Sequence, residues 1–221
     1  MRIPTLFLLA GCLLSTPLIA EQLTVRVLLA GGDSPVPGAV VYLNNGSHAT
    51  PIQAEVVQKD RMFHPHVLIL PAGSSVDFPN RDNTQHHVYS FSPAKPFNLE
   101  LYAGKPEAAV VFDQPGIVEL GCNIHDHMQA FIVVADTRAI GQTNELGEVT
   151  LALDFGTAPA PDSLSLNIWH PRLPDNTRPL IREIDGAHQA TTATQIIRIE
   201  LDPEPRHEGH LDDLQNRFRE L

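Results

Sequence analysis

From residue 23 onward the apolar residues of this chain come in short runs. LTVRVLLA (23–30), GAVVYL (38–43), HVLIL (66–70), FNLELY (97–102), AAVVF (108–112), GIVEL (116–120), AFIVVA (130–135), EVTLAL (148–153), SLNIW (165–169) and QIIRIEL (195–201) are rich in β-branched, aromatic and leucine residues. Several alternate with period two. Phe97, Leu99 and Leu101 stand against Asn98, Glu100 and Tyr102, the pattern of a strand with one buried face. Gly, Pro, Asn and Asp separate the runs, and 19 prolines would break most long helices. The predicted fold class is all-β. Asn45-Gly46 after VVYL predicts a tight turn, a stronger reading than the overlapping glycosylation sequon Asn45-Gly46-Ser47. The end of the chain differs. In HLDDLQNRFREL, Leu211, Leu214, Phe218 and Leu221 recur at helical spacing, with Asp212 and Asp213 early and Arg217 and Arg219 late, as the helix dipole favours. A short amphipathic helix, docked on its own domain, is expected within a charged tail over 202–221.

Residues 1–20 have another character. One basic residue, Arg2, precedes an apolar run from Leu6 to Leu14, and Ala20 stands before the polar pair Glu21-Gln22. This is the pattern of a secretory signal peptide cleaved near Ala20, which predicts a periplasmic or secreted protein. Leu9-Ala10-Gly11-Cys12 also resembles a lipoprotein cleavage box, but cutting there would strand LLSTPLIA on the mature chain, so ordinary cleavage is the stronger reading. The 221 residues, 43% hydrophobic and 19% charged, suit one large globular domain or two small ones. A net charge of -11 with no basic stripe argues against a phosphate backbone as ligand. With Cys12 in the leader, Cys122 is the one remaining thiol, and in an oxidising compartment it needs burial or a metal.

The chemistry concentrates in Cys122-Asn123-Ile124-His125-Asp126-His127-Met128, between the runs GIVEL and AFIVVA. A thiolate, an imidazole and a thioether at successive spacings of three can turn toward one centre, and this soft donor set selects copper. Zinc would take firmer ligands than a thioether. A Cys122-His125 nucleophile pair lacks an orienting acid in the sequence, which disfavours a cysteine hydrolase. A second imidazole is available from His86-His87, at the end of the segment Asn80–His87 between SVDF and HVYSF. Two imidazoles, a thiolate and a weak axial Met make the blue-copper electron-transfer arrangement. Neighbours on a strand face opposite ways, so only one of His86 and His87 can turn inward. Alternation groups His87 with Tyr89 and Phe91, and His86 with Val88 and Ser90; this favours His87 unless a bulge changes the parity. His64, His66, His170, His188, His207 and His210 read as surface or structural residues, and Trp169 as core rather than a sugar platform.

Cys-x2-His-x2-Met before the last strand of the segment, with Asn80-x-Asp82-x3-His86 upstream, resembles the cupredoxins, and the short loop is most similar to the amicyanin type. The resemblance covers about 60–136, including Phe78-Pro79-Asn80 and Gly121-Cys122, and extends to proteins labelled methylamine-utilisation or plastocyanin-like. It implies a Greek-key β-sandwich holding one mononuclear copper, with His86, Cys122 and His125 as equatorial ligands and Met128 as the axial one. It further implies a non-enzymatic carrier of single electrons between redox protein partners, which the acidic charge predicts to be basic. Asp126 and His127 replace an apolar pair of amicyanin, which weakens the expectation of an apolar docking patch around His125. A second resemblance, in Gly32–Leu43 and Thr143–Leu151, is to two halves of a carboxypeptidase-regulatory-like β-sandwich, with Asn144 where Asp is usual. The implied organisation is a discontinuous sandwich over 21–53 and 137–201, with the cupredoxin domain, 54–136, inserted. The rival reading is a non-redox copper-binding or ligand-binding module of the cell envelope. A copper carrier usually exposes Met- and His-rich tracts, whereas past the leader this chain has only Met62 and Met128.

Overall fold

The computed structural model describes residues 21–44, 48–154, 161–185 and 193–204. The leader, the Asn45-Gly46 turn and the C-terminal helix expected from the sequence lie outside those residues. Among the described residues the regular structure is all β, with no helix.

The two flanking segments of the chain build two sheets together. β1 (Glu21–Leu29) pairs antiparallel with β14 (Glu148–Leu153) and parallel with β17 (Gln195–Ile199). A second sheet has the order β13-β2-β15-β16, from β13 (Ile140–Gln142), β2 (Val40–Leu43), β15 (Ser163–Trp169) and β16 (Leu180–Asp185). Thr143 joins segments 104 residues apart. Its hydroxyl accepts from the Ala39 N–H at 2.8 Å and donates to the Val36 carbonyl at 2.7 Å, while its own N–H donates to the Ala39 carbonyl at 2.8 Å. Asn144 closes the following turn by accepting the N–H groups of Leu146 and Glu148, which an Asp would do equally well. The turn needs glycine at 147, where φ is +72° and a Cβ would stand 2.4 Å from the Val27 carbonyl oxygen.

The intervening strands make three more sheets. β3 (Gln53–Glu55), β7 (Ser74–Asp77) and β10 (Val110–Phe112) associate in the order β10-β7-β3, and β4 (Val57–Lys59) and β5 (Met62–His64) form a hairpin. The five-stranded sheet, ordered β6-β12-β11-β8-β9, comprises β6 (Val67–Pro71), β12 (Gln129–Ala135), β11 (Gly116–Gly121), β8 (His86–Ser90) and β9 (Phe97–Tyr102). Along β12 alternate residues enter different cores. Ala130, Ile132 and Val134 join a cluster with Phe63, Val76, Phe78 and Phe112, whereas Phe131, Val133 and Ala135 join the cluster of the flanking sheets. Phe131 packs on Trp169 with ring centroids 5.2 Å apart. Burial on both faces explains why AFIVVA is a continuous apolar run where β14 alternates. At about 1.5–3 kcal/mol for each large side chain removed from water, these two clusters hold the five-stranded sheet firmly between its neighbours.

Candidate metal centre

The loop 80–85 is organised by Asn80, a buried residue whose side chain is hydrogen-bonded through both its nitrogen and its oxygen. Its Nδ2 donates to the Thr84 and Tyr102 carbonyls at 2.8 and 3.0 Å, and its Oδ1 accepts the Asp82 N–H at 2.9 Å. The loop therefore delivers Asp82 and the first residue of β8, His86, in fixed positions. The second loop leaves β11 at Gly121 and re-enters the sheet at Gln129. Within it the His125 N–H donates to the Cys122 carbonyl at 3.4 Å and the Met128 N–H to the His125 carbonyl at 2.9 Å. Two successive three-residue turns account for the spacing in the sequence, because side chains at i and i+3 of such a turn lie over one another.

The two loops meet. One ligand atom from each of His86, Cys122 and His125 lies within 4.8 Å of the others. The His86 and His125 rings are 5.0 Å apart, and Cys122 Sγ is 3.8 Å from His125 Nδ1. His86 and Cys122 are buried and His125 is half-buried. Met128 is buried too, in the same apolar cluster as Cys122. Burial, then the charges of His86, Arg61 and His127, hold His125 below the ordinary histidine value, with Asp82 opposing. The ring is thus neutral near pH 7, the form that binds metal.

His86 supplies the test of fit. Its Nε2 donates to Asp82 Oδ2 at 2.7 Å, whereas its Nδ1 is buried without a hydrogen-bond partner. Such an orphan costs about 1–3 kcal/mol, and a metal ion would take its lone pair. Carboxylate on one imidazole nitrogen and metal on the other is the usual way a ligand histidine is oriented. The residues present fit copper: a buried thiol, two imidazoles and a thioether close by form a soft donor set.

His87 takes no part in the cluster. It faces outward and bonds Asn98 Oδ1 at 2.5 Å, its ring tilted against Tyr89, which packs in turn on Phe91, itself 86% exposed. Alternation would place His87 inward only if its face-mates Tyr89 and Phe91 were inward too. In the fold the inward face is His86, Val88 and Ser90, because Gly121 lets the Tyr89 ring lie against the outer side of β11. Pairing of β8 with β9 does shift register between His86 and Val88, yet burial alternates through it, so no change of parity is needed. Two features go beyond the sequence motifs: the task of Asp82, which the motif contains without assigning it one, and the β4–β5 turn. Asp82 also accepts the N–H groups of Asp60 and Arg61 at 2.7 and 2.9 Å, tying the β4–β5 turn to the centre. Burial would raise its carboxyl, but these N–H groups and His86 bring it down to about 2. Its position four residues before His86 was the available signal. The turn residues Asp60 and Arg61 both have positive φ without being glycine, so nothing in the sequence marked them.

No protein-family model matches the chain, and no curated protein matches it. Among solved structures, it is similar to a copper-containing nitrite reductase from Thermus scotoductus (24% identity, 40% of this chain, 23% of that chain, TM-score 0.36). It is also similar to a purple cupredoxin from Nitrosopumilus maritimus (20% identity, 37% of this chain, 99% of that one, TM-score 0.34). A third is a pseudoazurin from Methylobacterium extorquens (25% identity, 39% and 77%, TM-score 0.31). Each likeness covers less than half of this chain, and the nitrite reductase is matched over about a quarter of its own length.

Proposed function

We propose that this protein is a periplasmic or secreted blue-copper protein that carries single electrons between redox partners, with His86, Cys122 and His125 as equatorial ligands and Met128 as the axial donor. The observation that carries the reading is the His86-Cys122-His125 cluster, with His86 Nδ1 buried, unpaired and aligned by Asp82 from the other side of the ring. Bound copper supplies a one-electron couple. The residues supply constancy: Asn80 and the two successive turns fix the donors, and the apolar cluster around Cys122 and Met128 keeps water away. A site held alike in both oxidation states needs little rearrangement when the charge changes. His125, half-buried, offers the edge through which an electron leaves or enters. With four protein donors no position stays open for a substrate, which favours a carrier over an enzyme. The test is the visible spectrum of the copper-loaded chain. An intense thiolate-to-copper band, absent in Cys122→Ser, is expected. A colourless, redox-silent copper complex would instead make the chain a non-redox copper-binding module.

A further inference from the structure

At the other end of β11 and β12 from the metal centre, the flanking sheets and the five-stranded sheet leave a cleft of about 380 Å³. It is lined by Tyr42 of β2 and Asn167 of β15, which are direct cross-strand partners, by Pro115 and Asp136 from the ends of β11 and β12, and by His48 and Pro179. The volume lies in the range of small-molecule sites.

Asn167 is the unusual residue. It is 2% exposed, stands between Leu166 and Ile168 in a strand whose other inner residues are apolar, and its Nδ2 has no hydrogen-bond partner. Leaving a buried amide unpaired costs about 1–3 kcal/mol, so the position favours an acceptor brought in from outside. Beside it, burial pushes the Tyr42 phenol up to about 12, and the hydroxyl keeps its proton as a donor. Asp136 Oδ2 and His48 Nδ1 are hydrogen-bonded at 2.7 Å. The lining thus has donors inside, a carboxylate acceptor at Asp136 and proline rings.

We infer that this cleft binds a small uncharged polyhydroxylated molecule of monosaccharide size, one oxygen of which accepts from Asn167 Nδ2. A hydroxyl both donates and accepts, so a ring of hydroxyls satisfies Asn167, Tyr42 and Asp136 together. Its C–H faces suit Pro115 and Pro179. No lysine or arginine lines the cleft to hold an anion, and its one carboxylate, Asp136, is already bonded by His48. The site is independent of the copper centre, and its test is independent as well.

Trp169, the chain's one tryptophan, lies two residues along β15 from Asn167 and is fully buried, so its emission is a neighbouring probe, while the Asn167 side-chain amide reports on the cleft directly. The full chain is titrated with D-glucose, D-galactose and N-acetyl-D-glucosamine, with sodium acetate and choline chloride as charged probes, reading Trp169 emission and the Asn167 side-chain amide resonance. At least one sugar should give a saturable change in the millimolar range, lost in Asn167→Leu and weakened several-fold in Tyr42→Phe. Should Asn167→Leu fail to fold by circular dichroism, the wild-type Asn167 resonance and Tyr42→Phe decide the matter. No saturable response to any of the three sugars overturns the inference. So does a response that survives in folded Asn167→Leu, or saturation by acetate or choline in place of the sugars.

Discussion

His86 divides its two nitrogens between Asp82 and the proposed copper, and this division sets what each nearby substitution should do. Asp82→Ala leaves His86 Nε2 and the N–H groups of Asp60 and Arg61 without their acceptor, at a carboxylate only 14% exposed. The expected cost is about 2–3 kcal/mol in urea unfolding, with faster loss of copper to a chelator; Asp82→Asn, which keeps one acceptor, should fall between. His86→Ala should abolish the visible band, whereas His87→Ala, which removes an outward ring bonded to Asn98, should leave it nearly intact. The reverse outcome would move the ligand assignment to His87. The donor types and their spacing were legible in the sequence because i,i+3 turns impose them. Which of two adjacent histidines turns inward was not, because hydrophobicity is a poor guide to facing when large aromatics such as Tyr89 and Phe91 lie on the outer side of a strand.

Among the elements, strands with an apolar run or a clear alternation were readable, even the three-residue β10 within AAVVF, whereas strands without one were not, including the six-residue β16, half of whose residues are charged. β1, β9, β14 and β15 carry enough residues for a pattern to show, whereas β3, β4 and β5 have three residues each. The β4–β5 hairpin also lacks glycine or asparagine in its turn, since Asp82 does from a distance what turn chemistry does locally. Thr143 is the hinge between distant elements: Thr143→Val keeps shape but removes both hydroxyl bonds inside the core, and should destabilise by about 1–3 kcal/mol. At the end of β15, His170 accepts the Arg172 N–H on Nδ1 at 3.1 Å. Burial, then the Arg172 charge, lowers its value from 6.5 to about 4, against the bond to Pro37. Between those values the unfolded chain binds a proton that the native chain does not, so stability is full above pH 6.5 and falls as the pH drops toward 4. The loss should reach about 2–3 kcal/mol, discounted for partial exposure, and His170→Gln should flatten the stability profile over that window.

For the whole molecule, the decisive arrangement is that the flanking sheets cover one side of the five-stranded sheet. That packing was not legible in the sequence, because Phe131 and Val133 look like Ile132 and Val134 until the neighbours on each face are known. That packing closes one approach and leaves the loop around His125 free, with Asn123, Ile124, Asp126 and His127 exposed. On a chain of net charge -11, this surface should draw a basic redox partner mainly by electrostatic steering. The second-order rate of electron exchange with such a partner should then fall by about tenfold or more between low and high ionic strength, as the screening length shrinks from tens of ångströms to a few. Asp126→Lys should slow the reaction several-fold at low salt and have little effect at high salt, separating steering from any change at the copper itself. A rate that ignores salt and is unmoved by Asp126→Lys, but drops in Ile124→Ser, would assign docking to apolar contact instead, with the 47%-exposed Ile124 as its anchor.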